Sequence, residues 1–87
     1  MRGNMNVTLH PHAQRRLKER GASHSEVVAT VLEGEPIPAK LGRSGFRRNF
    51  PFAGSWRGKA YTTKQVEVFA VREGEDWLVI TVVTRFS

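Results

Sequence analysis

Three side chains in the first third of the chain have the types and spacing to grip a phosphate and move a proton beside it. His12, Arg16 and Arg20 recur at intervals of four. On a helix they drift by only about 80° in total and so line one stripe. Ala13 and Leu17 lie next to that stripe, which therefore borders the apolar edge of the helix. Arginine presents a planar fork of donors matched to phosphate oxygens. Histidine is the residue type that exchanges a proton near neutral pH, so the trio can hold a phosphodiester and supply acid–base chemistry. A structural role for the same residues is the alternative. Arg20 favours a helix C-terminus, Arg16 can pair with Glu19 or Asp76, and His12 suits a first helical turn.

A second pattern runs from Lys40 to Lys59. It holds Lys40, Arg43, Arg47, Arg48, Arg57 and Lys59 and no acid, with Phe46, Phe50, Phe52 and Trp56 interleaved. Cations of this kind track a phosphate backbone, and aromatic faces stack on unpaired bases. In a strand half of those rings belong to the core, so the charge is the more informative half of the pattern. Lys64 and Arg72, further along, are candidates to join the helix arginines around a phosphate.

These residues need a scaffold, and breakers and periodicity outline one. A first helix is expected over residues 9–20, with Thr8 able to cap it, Pro11 in its first turn and Gly21 ending it. A second is expected over 24–33. Ser23 and Glu26 have capping-box spacing, Val27, Val28, Val31 and Leu32 recur at helical intervals, and Gly34, Pro36 and Pro38 stop it. Residues 34–45 read as a loop. Phe46 to Phe52 alternates as a strand, with Pro51 marking an edge or an end, and 53–55 reads as a turn. The segment 56–65 fits either loop or strand. Val66–Val71 and Trp77–Thr84 are strands joined by a hairpin loop at 73–76. The expected fold is α+β, two N-terminal helices packed on a twisted three- to four-stranded antiparallel sheet. Residues 1–8 read as a flexible N-terminal arm ahead of a single domain over 9–87.

Composition narrows the chemistry. The 87 residues carry 14 Lys+Arg, ten of them arginine, against 8 Asp+Glu, for a net charge of +6. Residues 1–65 hold twelve cations and four acids, whereas residues 66–87 hold two and four. This asymmetry points to a polyanion: RNA, ribosome-associated or free, DNA, or an acidic protein. The chain has no cysteine, which excludes disulfides, thiolate metal sites and cysteine nucleophiles, and which fits a cytoplasmic setting. No apolar run reaches the roughly 20 residues of a membrane span. His10, His12 and His24 have no carboxylate cluster beside them, so no metal site and no cofactor are expected. Phosphate-loop, dinucleotide and nucleophile-elbow motifs are absent.

The run His12-Ala13-x-x-Arg16-x-x-x-Arg20-Gly21, followed by a short capped helix and a basic strand region, resembles domain-of-unknown-function family 4258. The valine-rich end Thr81-Val82-Val83-Thr84 is similar to that family as well, and the resemblance spans residues 10–85. The family is itself similar to the RelE-like toxins of the barnase, EndoU, colicin and RelE grouping. The resemblance implies a RelE-like fold and a metal-independent endoribonuclease, a toxin restrained by an acidic antitoxin protein. His12, Arg16 and Arg20 match its helix motif, and Thr81 and Thr84 match polar strand positions loosely. Two readings follow. One is a small ribonuclease with His12 as acid or base and the arginines on the phosphate. The other is a non-catalytic basic module binding RNA, DNA or an acidic partner.

Overall fold

The computed structural model describes residues 6–87, and the segment 1–5 of the expected arm lies outside the described residues. The fold is α+β: two helices packed on one face of a five-stranded mixed sheet. The chain order is β1 (Val7–Leu9), α1 (Pro11–Arg20), α2 (His24–Glu33), β2 (Glu35–Ile37), β3 (Ser44–Trp56), β4 (Lys59–Glu73) and β5 (Asp76–Phe86). In the sheet the strands run β1-β5-β4-β3-β2.

Both helices close as the residue types dictate. Ser23 and Glu26 form the reciprocal capping box at the start of α2, the Ser23 Oγ accepting from the Glu26 amide and the Glu26 carboxylate from the Ser23 amide. At the end of α1, Gly21 takes the left-handed conformation at φ 67°. The α1 start differs from the sequence reading. Leu9 pairs with Val79 in a strand and the His10 amide donates to the Val79 carbonyl, so the helix begins at Pro11 with His10, not Thr8, as its cap.

That pairing also corrects the sheet. Val7 and Thr8, read as part of an arm, join Leu9 as a strand parallel to β5, which makes the sheet mixed where an antiparallel one was expected. A second short strand, β2, lies within the expected loop 34–45 and pairs with Gly45–Arg47. Three-residue strands such as these carry too little alternation to show in the sequence. The ambiguous segment 56–65 is mostly strand. Trp56 pairs with Lys59 across a two-residue turn in which Arg57 and Gly58 both have positive φ, as the twist of a tight hairpin favours. The expected turn at 53–55 is a shift of register between Pro51 and Gly54 within one long strand. The loop between β4 and β5 is Gly74-Glu75, inside the expected 73–76.

A second irregularity positions the site. Phe69 pairs with Thr81 and Ala70 with Val79, so Ile80 is an extra residue in β5. Without this bulge Val79 and Val82 would face opposite ways. With it both are buried under the helices, at 0% and 5% exposure. Ala13 and Leu17 of α1 and Val27, Thr30 and Val31 of α2 close over this face, on Val66, Val68 and Ala70 of β4. Burying each valine is worth roughly 1.5–3 kcal/mol. Phe46 and Trp77 meet edge to face at 5.2 Å at one end of the core.

The α2 terminus is pressed against β3. A Cβ on Gly34 would lie 2.4 Å from the Thr30 carbonyl oxygen and 2.8 Å from that of Arg47. Both neighbours are backbone, so neither can rotate away. Gly34→Ala is therefore expected to destabilise the fold by about 3 kcal/mol, the upper end of overpacking costs, read as a lowered midpoint in urea denaturation.

Candidate phosphate site between α1 and the β5 bulge

His12, Arg16 and Arg20 open into one recess of about 230 Å³, closed by Ala13 from below and by Ile80, Thr81 and Val82 at the β5 bulge. The four-residue spacing puts them on one stripe, and the burial of Ala13 and Leu17 turns that stripe to the edge of the sheet. Thr81 adds a hydroxyl from the strand side.

The polar groups of the recess are held in place but not used up. The His12 amide donates to His10 Nδ1 at 3.1 Å, so it is His10 that serves the backbone here. The Arg20 carbonyl accepts from the Thr84 hydroxyl, which ties the end of α1 to β5. The Arg20 Nε, in contrast, is buried with no hydrogen-bond partner. Leaving a buried donor unpaired costs about 1–3 kcal/mol, and the residue that carries it lines the recess. Among the described residues no ion pair involves His12, Arg16 or Arg20. The acids a structural role would have recruited are engaged elsewhere or lie apart. Glu26 binds Lys64, and Asp76 accepts from the Asn6 amide at 3.3 Å.

The remaining sequence candidates, Lys64 aside, divide into three groups. Arg47 and Arg48 are paired, with Glu35 at 2.7 Å and Glu33 at 3.1 Å. The acid-free stretch 40–59 thus meets acids delivered by the end of α2 and by β2. Arg57 and Lys59 are exposed on the hairpin end, Arg57 over Trp56 and donating to the Glu19 carbonyl, Lys59 over Tyr61. Lys40, Arg43 and Arg72 lie at the opposite end of β3 and β4.

Lys64 corrects the reading of it as a nucleic-acid contact. It is buried, and its Nζ donates to the Gly21 carbonyl at 2.9 Å and to Glu26 Oε1 at 2.8 Å. Its position on β4 opposite Phe50 points it under the helix corner, and the ammonium pins that corner to the sheet. Burial pushes the Glu26 carboxyl up, but hydrogen bonds from Lys64 and the Ser23 amide, with the Lys64 charge, outweigh it and hold the group below its usual value. None of Lys64, Arg72 and Arg85 lines the recess, and Arg85 lies 3.5 Å from Glu67 instead.

The bulge at Ile80 and the aromatic group at the hairpin end carry no sequence signal that marks them. Trp56 stacks on Phe86 at 5.2 Å, with Phe52 and Tyr61 against the same ring. Trp56 also packs on Gly21, where a Cβ would come within 2.9 Å of the indole. This group braces the corner that follows Arg20. Among the described residues no three of His, Cys, Asp and Glu come together as a metal-binding group, and no helix is long and apolar enough to cross a membrane. Comparison with protein-family models, with curated proteins and with solved structures returns no match.

Proposed function

We propose that the chain binds RNA through the recess between α1 and β5 and cleaves it there, as a metal-independent endoribonuclease. The observation that carries the reading is the buried, unpartnered Arg20 Nε on a residue that lines the recess with Arg16 and His12, with no ion pair to these three among the described residues. Two guanidinium groups and no acid in the lining favour a phosphate. His12 takes the proton of the 2′-hydroxyl, and that oxygen attacks phosphorus. The bond to the 5′-oxygen breaks, and the imidazolium returns the proton to the leaving oxygen. The products are a 2′,3′-cyclic phosphate end and a 5′-hydroxyl end. Arg16 and Arg20 stabilise the charge that gathers on the phosphoryl oxygens. The resemblance of the helix motif to a RelE-like family supports the same assignment, and a toxin held by an acidic antitoxin is its biological form.

A non-catalytic RNA-binding module is the second reading. It is favoured by one observation: His12 is the only titratable group besides the arginines in the lining. Incubating the purified protein with single-stranded RNA in chelator separates the two. Cyclic-phosphate products are expected from the nuclease, and intact RNA with salt-sensitive binding from the module. Both readings require Arg16. Arg16→Ala is expected to weaken RNA binding about tenfold and to lower the steepness of the salt dependence by about one phosphate contact, measured by fluorescence anisotropy across a salt series.

A further inference from the structure

A second cavity lies away from the α1 recess, at the end of the sheet where β2, β3, β4 and β5 meet. It measures about 460 Å³ and is walled by Arg43, Ser44, Arg72, Pro36 and Ile37, over the buried rings of Phe46 and Trp77. This is the size range of small-ligand sites and about twice the volume of the α1 recess.

Its two cations differ from most others on the sheet. Arg47, Arg48, Lys64 and Arg85 each have a carboxylate within 3.5 Å, whereas among the described residues no ion pair involves Arg43 or Arg72. Arg72 is nevertheless fixed. Its guanidinium lies over the Trp77 ring at 5.1 Å, and its Nε donates to the Gly74 carbonyl at 3.0 Å. The two terminal nitrogens remain for another acceptor. Arg43 is delivered by a tight turn in which its amide donates to the Lys40 carbonyl at 3.2 Å. That turn needs positive φ at Gly42 and also at Leu41, at 61°, where a side chain is disfavoured. Leu41 is meanwhile 85% exposed, so no packing of its own holds it in this conformation. The acids nearest in sequence, Glu73, Glu75 and Asp76, sit on the neighbouring turn and pair with neither arginine.

We infer that this cavity is a second ligand site that takes a nucleoside phosphate, its phosphate between Arg43 and Arg72 and its base against Pro36 and Ile37. The inference does not depend on cleavage at His12. The same chemistry is offered by a free nucleotide and by the phosphorylated end of an RNA strand.

Two-dimensional NMR of the full chain, titrated separately with adenosine 5′-monophosphate and with a short 5′-phosphorylated 2′-O-methyl RNA, tests it. Saturable shifts of the Arg72 Nε–H and the Trp77 indole N–H are expected. Arg43→Gln and Arg72→Ala are each expected to weaken binding at least about tenfold, read at the Trp77 indole N–H, as loss of a charged hydrogen bond to phosphate does. Saturation by the mononucleotide identifies a nucleotide site, and saturation by the RNA alone identifies a strand-end site. Either supports the inference. Absence of saturable shifts with both probes, or Trp77 shifts whose titration midpoint neither Arg43→Gln nor Arg72→Ala moves, would overturn it.

Discussion

Replacing His12 by alanine is expected to lower RNA cleavage by about a hundredfold to ten-thousandfold, the usual contribution of a positioned acid–base group. RNA affinity should change little, because the proposed phosphate contacts are those of Arg16 and Arg20. Stability should also hold within about 0.5 kcal/mol, since His12 is exposed and its imidazole makes no hydrogen bond within the described residues. The backbone bond at this position is accepted by His10, so the local cap survives the substitution. Single-turnover cleavage of a labelled RNA, alongside binding and thermal unfolding of the same variant, measures the three quantities. Equal loss of affinity and cleavage would reassign His12 to binding, and a loss of stability would reassign it to the fold.

Lys64→Ala is expected to cost about 3 kcal/mol of stability. It leaves the part-buried Glu26 carboxylate and the Gly21 carbonyl without their donor, and breaking a buried pair from one side is costlier than never having built it. At about 4–8 °C per kcal/mol in a domain of this size, the thermal midpoint should fall by more than roughly 10 °C. Lys64→Met combined with Glu26→Gln removes both charges while keeping an acceptor for the Ser23 amide, and should regain part of the loss. The pair also sets a pH dependence. Because Glu26 is held below its usual value in the folded protein, its contribution is complete above the pH at which the unfolded carboxyl ionises. It is lost as pH falls through the lower, folded value. The wild-type midpoint should therefore drop on acidification through the carboxylate range, and the Lys64→Met/Glu26→Gln variant should drop less. A thermal midpoint in Lys64→Ala within about 3 °C of wild type would mean that the ammonium is not holding the corner.

The helical half of the molecule was the more legible in the sequence, and the reason is local. The capping box at Ser23 and Glu26, the left-handed stop at Gly21 and the breaker run after Glu33 each act within a few residues, so they can be read without knowing the fold. The two long, β-branched strands at the end of the chain showed for the same reason. The edges of the sheet did not. Val7–Leu9 becomes a strand only because β5 lies alongside it some 70 residues later, and Glu35–Ile37 only because β3 does. Both are tertiary facts. Lys64 illustrates the limit at the level of a single residue. Its sequence neighbours, Thr63 and Gln65, suggest an exposed strand position, and only the corner between the helices reveals it as a buried tether. The stripe of His12, Arg16 and Arg20 was readable because helical periodicity is intrinsic. The wall it faces, a bulge at Ile80, was not, because a bulge appears only in the pairing of two strands.

The central claim is that Arg20 and its neighbours on α1 hold an RNA phosphate. The Arg20 Nε–H is a direct reporter, since it is buried and unpartnered in the free protein. Its NMR signal, followed while an uncleavable 2′-O-methyl single-stranded RNA is added, should move to a new saturating position and become slow to exchange with solvent, together with the Thr81 amide. The shift should weaken with added salt and with Arg16→Ala. An Arg20 signal that stays put while RNA binds, with shifts confined to the hairpin end at Arg57 and Lys59, would contradict the account and leave the α1 recess with no part in RNA recognition.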